Sequence, residues 1–267
     1  MTETPSPTSA SLAEQPMSRG QVGFEIFIVL GLSLGASAVY AVVQLIDLLT
    51  RAKPLGSQST ALNGDLSDRA GFDLTYQLLG IFFAILPVVL AFYLLKLSGS
   101  NPFARLGFTA SQPLCDLRRG LLLVVVIGVP GLAFYLLGRA VGITVNVTTQ
   151  PESTYWFTIP VLILSALRAA LTEELIVVGF LFERLGRLGW HKWVIIASTA
   201  ALRGSYHLYQ GFGPFVGNFA MGVLFGWLYT RWGRTVPLVI THWILDIASF
   251  VGYGLAVALL PGLFTAS

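Results

Sequence analysis

The chain has 267 residues, of which 55% are hydrophobic and only 11% charged, with 16 Lys or Arg against 13 Asp or Glu. A typical soluble domain carries about 25% charged residues, and a globule of this size has no interior large enough to hide so much apolar surface. Disorder, a collagen repeat and a disulfide scaffold are excluded as well, the last because Cys115 is the single cysteine. The remaining class is an all-α polytopic transmembrane helix bundle, in which a net charge of +3 reflects basic loops and not a nucleic-acid partner.

Residues 1–20, rich in Ser, Thr and Pro, read as a disordered cytoplasmic tail. No apolar core follows an early basic region, so they do not form a cleavable signal peptide. Residues 21–267 read as a single transmembrane domain. Seven apolar stretches follow, at about 22–49, 74–97, 119–142, 157–182, 193–210, 213–230 and 236–263, each near the roughly 20 residues that cross a hydrocarbon core. The last is long enough to split near Gly252–Gly254, so the expectation is seven or eight spans.

Loop charge sets the orientation. The tail and the even-numbered loops hold Arg19, Lys96, Arg105, Arg118, Arg119, Arg184, Arg187, Lys192, Arg231 and Arg234, whereas the odd-numbered loops hold only Arg51, Lys53, Arg69 and Arg139. Ten against four over short loops places the N-terminus in the cytoplasm of a multi-pass plasma-membrane protein. Ser98–Asp116 reads as an amphipathic stretch along that interface. Gly213, Gly217, Gly222 and Gly226 form two small-xxx-small pairs on the sixth span, suited to close helix packing.

Ionisable groups inside a span each cost about 3 kcal/mol or more, so they mark function or a partner. Span four carries Arg168, Glu173 and Glu174, span five Arg203 and His207, and span seven His242 and Asp246. Glu25 and Asp47 lie near the ends of span one and read as ordinary end charges. Arg203 and His207 are four apart, as are His242 and Asp246, so each pair shares a helix face. Glu173 and Glu174 are about 100° apart and are expected to face different neighbours. At 1.5 Å per residue, Glu173 lies about 15 Å deep, His207 about 20 Å and His242 about 10 Å, depths that helix tilt can bring to one level.

A glutamate and a histidine facing one water can activate it, because a carboxylate in a poorly hydrated site is a competent general base. A second histidine, oriented by a carboxylate four residues on, can donate to a developing oxyanion. These are the parts needed to hydrolyse a peptide bond. No Gly-x-Ser-x-Gly elbow accompanies them. Glu173, His207 and His242 are also a possible zinc set, although His-Glu-x-x-His is missing. A proton-coupled transporter and a catalytically inactive scaffold or immunity factor are the competing classes for a chain with such intramembrane charges.

Three segments, Glu173-Glu174-Leu-Ile-Val-Val178, Arg203-Gly-Ser-Tyr-His207 and His242-Trp-Ile-Leu-Asp246, resemble the motifs of the CAAX protease and bacteriocin-processing family of intramembrane endopeptidases (CPBP, or Abi) over about residues 157–250. Those motifs are a glutamate pair with an arginine four residues after the second glutamate, a Phe-xxx-His, and a His-xxx-Asn or His-xxx-Asp. The resemblance implies a glutamate-type or metallo-type endopeptidase acting on a membrane-associated substrate, prenylated or not, most simply without a cofactor. It implies that Glu173 and His207 activate the water, that His242 and Asp246 form the oxyanion site, and that Glu174 supports them. Val178 stands at the motif arginine position and Arg203 at the phenylalanine position. A swap is therefore expected, with Arg203 supplying the cation beside Glu173 or Glu174 that position 178 lacks.

Overall fold

The computed structural model describes residues 17–99, 101–148 and 155–252. The tail as far as residue 16 and any eighth segment beyond residue 252 lie outside the described residues. Helix α1 (Arg19–Gly31) begins on Ser18, whose Oγ accepts from the Gln21 backbone while the Gln21 side chain accepts from the Ser18 N–H. This reciprocal cap satisfies two of the donors that a helix start leaves open, so the helix starts inside the stretch expected as tail. A break at Leu32–Ser33 separates it from α2 (Leu34–Thr50), and the two helices meet at 55°.

The next long helices are α3 (Ala70–Leu97) and α5 (Pro113–Ala140), joined through the short α4 (Pro102–Arg105), which Asn101 caps. After α5 comes α6 (Thr158–Glu173), which continues without interruption into seven π-wound residues, Glu174–Phe180, and then α7 (Leu181–Arg187). Helices α8 (Lys192–Ser205), α9 (Phe212–Trp232) and α10 (Val236–Phe250) complete the described bundle. Two three-residue strands, β1 (Ser59–Ala61) and β2 (Asn146–Thr148), pair in parallel with Ser59 opposite Asn146.

Helices α3, α5 and α9 are each long and apolar enough to cross a membrane, and the bent pair α1–α2 together passes the same test. Their outer faces carry large exposed apolar side chains, such as Phe27 and Tyr40 (71% each) and Val129 (68%), which only a lipid surround accommodates. The chain is a helical membrane protein. Helices α8 and α10 are shorter and lie against longer neighbours, α8 on α9 and α10 between α5 and α6.

The connections divide between two ends of the bundle. At one end, Arg19 donates to Leu188 O, Arg105 and Arg187 both bond Glu183, and Arg234 bonds Asp116 as well as Ser111 and the Thr109 carbonyl. The Asp116 bonds push the Arg234 guanidinium above its already high ordinary pKa, so it stays a cation. Gly107 adopts φ +61° in this cluster, and a Cβ there would lie 2.0 Å from Gly233 O. Only glycine fits both the left-handed backbone and the close approach. At the other end β1 meets β2, Arg139 donates to Gly56 O and Thr144 O, and Val145 N–H donates to Gln210 O. The N-terminal end and the even-numbered loops thus gather at one end, and the odd-numbered loops at the other.

The α6–α7 rod is the axis around which the others pack. All seven π-wound residues are buried, and Leu175, Ile176, Val177, Val178 and Phe180 join Leu95, Leu106, Ile196, Phe225 and Leu238 in the main core. A helix apolar on every side belongs in a protein interior. The paired small residues of α9 divide between neighbours: a Cβ at Gly222 would lie 2.9 Å from Ala200 Cα on α8, whereas one at Gly217 meets only Phe134, at 3.7 Å. Gly222→Ala should therefore lower the melting temperature in detergent, by an overpacking penalty of about 1–3 kcal/mol. Gly217→Ala should leave it unchanged or raise it slightly, since alanine loses less backbone entropy.

Candidate active site

Midway along the α6–α7 rod the winding changes from α to π immediately after Glu173. π turns are rare and cluster at functional sites. The two carboxylates at this point were expected to face different neighbours. Both turn to the same guanidinium. Arg203 Nη2 lies 3.1 Å from Glu173 Oε2 and is also hydrogen-bonded to Glu174 Oε1, while its Nη1 lies 3.4 Å from Glu174 Oε2. The Arg203 and Glu174 side chains are fully buried.

The third helix enters through His242, whose Nδ1 is 2.7 Å from Glu174 Oε1 and 3.1 Å from Arg203 Nη2. An ionised carboxylate only accepts, so Nδ1 donates to Glu174. The far nitrogen, Nε2, is 3.4 Å from Asp246 Oδ2, longer than a well-formed hydrogen bond. The ring is therefore oriented more by Glu174 than by the carboxylate four residues on. Asp246 is the most open member, with its side chain 23% exposed.

His207 reaches the cluster by a different route from the expected one. The stretch 193–210 is not one helix. α8 ends at Ser205, and Tyr206 and His207 follow in a turn with ψ near 0° that leads to a short 3-10 segment, Leu208–Gln210. Gly204 makes this possible: a Cβ there would come within 2.9 Å of Phe215 on α9, so the end of α8 is pressed onto its neighbour. His207 Nδ1 faces the Gln210 amide at 3.4 Å, and Nε2 is buried without a hydrogen-bond partner among the described residues. Glu173 and Asp246 both lie within electrostatic reach of the ring.

Tyr206 completes the group. Its hydroxyl donates to Glu173 Oε2 at 2.7 Å, and its ring centroid lies 5.0 Å from that of His207. Sequence reasoning passed over it; the available signal was a hydroxyl-bearing aromatic one residue before a histidine within an apolar stretch. Two other residues prove structural. Glu25, read as an ordinary end charge, forms a 2.6 Å ion pair with the fully buried Arg184 and ties α1 to α7. Asp47 pairs with exposed Arg51 one turn on.

The zinc set Glu173, His207 and His242 does not fit this arrangement. The place between the glutamates and His242 Nδ1 is taken by the Arg203 guanidinium, and no group of three His, Cys, Asp or Glu side chains among the described residues is placed to hold an ion.

Residues 155–248 match the family model described as Type II CAAX prenyl endopeptidase Rce1-like. The match covers every residue of the cluster, and it agrees with the family that the three motifs resemble. It implies a peptidase. Neither a curated protein nor a solved structure matches the chain.

The buried triangle of Arg203, Glu174 and His242 generates a stability prediction. Arg203→Gln leaves two carboxylates without their cation and should destabilise the protein by about 3–5 kcal/mol in thermal or denaturant unfolding. Adding Glu174→Gln should recover part of that loss, and strictly additive losses would show that the two side chains do not interact.

Proposed function

We propose that this chain is an intramembrane endopeptidase of the CAAX type, which hydrolyses a peptide bond of a membrane-associated substrate with a water held between Glu173 and His207. The carrying observation is the meeting of four ionisable side chains, Glu173, Glu174, Arg203 and His242, from three helices within hydrogen-bond distance at the centre of the bundle. His207 and Asp246 stand beside them.

In this reading Glu173 is the general base. Both hydrogen bonds it accepts from described residues fall on Oε2, so Oε1 is the oxygen that meets the water. His207 Nε2 holds the same water from the other side. Glu173 takes one proton as the water oxygen adds to the scissile carbonyl carbon. His242, carrying a proton on Nε2 as well as on Nδ1 between the Asp246 and Glu174 carboxylates, donates from Nε2 to the carbonyl oxygen as negative charge grows there. Fixed donors in a site shielded from bulk water stabilise that charge strongly. Collapse of the tetrahedral species breaks the C–N bond, and the proton passes from Glu173 to the leaving nitrogen. Glu174 and Arg203 hold the frame. Arg203 does from α8 what an arginine at position 178 would do from the same helix as the glutamates.

No resident metal is needed for this route, since the charge beside the glutamates is supplied by the guanidinium. The alternation of connections between the two ends supports seven crossings through residue 250, with an eighth open to the residues beyond. The concentration of Lys and Arg at one end supports a cytoplasmic N-terminus in a plasma membrane. The matched description names a prenyl endopeptidase, so a peptide with a lipidated Cys-a-a-X terminus is the first substrate to offer.

Purified protein in liposomes should cleave such a peptide, and Glu173→Gln and His207→Ala should each reduce turnover by about a hundredfold to ten-thousandfold with little change in melting temperature. Wild-type turnover in both variants would overturn the mechanism. Turnover should also persist in chelator, with metal content well below one ion per chain. Chelator-dependent loss that zinc restores would refute the metal-free route.

A further inference from the structure

The hydroxyl of Tyr206 has no part in the reaction as written above, yet it makes the shortest hydrogen bond to Glu173, 2.7 Å to Oε2. We propose that Tyr206 is a positioning residue: with Arg203 it fixes one oxygen of Glu173 and so presents the other to the reacting water. The inference rests on the assignment of Glu173 as general base.

Three observations support it. First, two donors from one chain segment, Arg203 Nη2 and the Tyr206 hydroxyl, converge on a single carboxylate oxygen. The terminal torsion of a glutamate is broad and roughly two-fold, so a carboxylate held by one donor can swing or exchange its oxygens. Two donors on the same oxygen remove that freedom. Second, the donor is itself immobile. Tyr206 is only 5% exposed, its ring rests against the His207 ring, and its backbone follows directly from the end of α8, which Gly204 presses onto Phe215. Third, the helix end sets the relation between the partners. Because α8 stops at Ser205, Tyr206 and His207 are consecutive residues of one turn. The group that orients the base and the imidazole that shares its water therefore move as a unit. A tyrosine at this place couples the two halves of the water site through one peptide bond.

A carboxylate that swings out of line by about 1 Å can lose a hundredfold in rate, whereas substrate contacts away from Tyr206 are untouched. Tyr206→Phe should therefore lower kcat by about ten- to a hundredfold, leave KM within about twofold, and leave the melting temperature close to wild type. In Glu173→Asp the shortened carboxylate no longer reaches the hydroxyl, so Tyr206→Phe added to Glu173→Asp should reduce kcat by less than about threefold further. Full activity of Tyr206→Phe, or the same fold-loss in both backgrounds, would overturn the proposal. If Tyr206→Phe lowers the melting temperature and the yield of folded protein, 3-fluorotyrosine at position 206, which keeps ring and hydroxyl, should restore kcat as well as folding; restored folding without restored kcat would also overturn it. Wild-type kcat in Glu173→Gln would instead remove the general base itself, a failure separate from that of Tyr206.

Discussion

The arginine at position 203 is the charge on which the site is built. Two adjacent carboxylates in the middle of an apolar bundle repel each other and lack water to screen them, and each alone would be expensive to keep ionised there. A guanidinium is suited to this place because it is planar, stays protonated and carries several donors in a fixed fork. It comes from α8, touches both glutamates and approaches His242. Helices α6, α8 and α10 are thereby held by charge as well as by packing, and the charged frame is part of the core.

That frame lies in the buried interior of the bundle. The α6–α7 rod is surrounded, its π-wound residues are all buried, and α9 approaches α8 closely enough that Gly222 admits no side chain without movement. Rigid helices position functional groups more accurately than loops do. The exception is His207, which sits in a turn. Its neighbour Tyr206 is buried and follows directly from the end of α8, which Gly204 brings against Phe215.

Much of this was legible in the sequence. The seven apolar stretches each contain helix, and four of the groups too polar for their surroundings, Glu173, Glu174, Arg203 and His242, meet at the centre of the bundle. The resemblance to the family motifs, which have arginine where this chain has Val178 and phenylalanine where it has Arg203, implied that Arg203 would stand beside the glutamates, and it does. Other features were not legible, for physical reasons. The π winding after Glu173 has no periodic signature over seven residues, and the meeting of both glutamates at one guanidinium depends on where α8 places Arg203, 30 and 29 positions away. The early end of α8 depends on how Gly204 meets Phe215, a contact 11 residues away in sequence. The bend at Leu32–Ser33 lies inside an unbroken apolar run. Glu25 looked like an end charge because Arg184, its partner, is 159 positions distant.

The wide winding between Glu174 and Phe180 has one more consequence. Such a turn stores one more amino acid than an ordinary helical turn of the same rise, so the phase of everything downstream of Glu173 depends on a single surplus position. Loss of Gly179 alone would let the segment close into a regular α-helix with every apolar side chain retained. Arg184, downstream on α7, would then be rotated by roughly 100° away from Glu25, its partner on α1. Composition and hydropathy would barely register the change, and the protein could still insert and pack as a bundle. Among descendants of this sequence, the length of that short stretch thus records whether the two halves of the rod keep their mutual register.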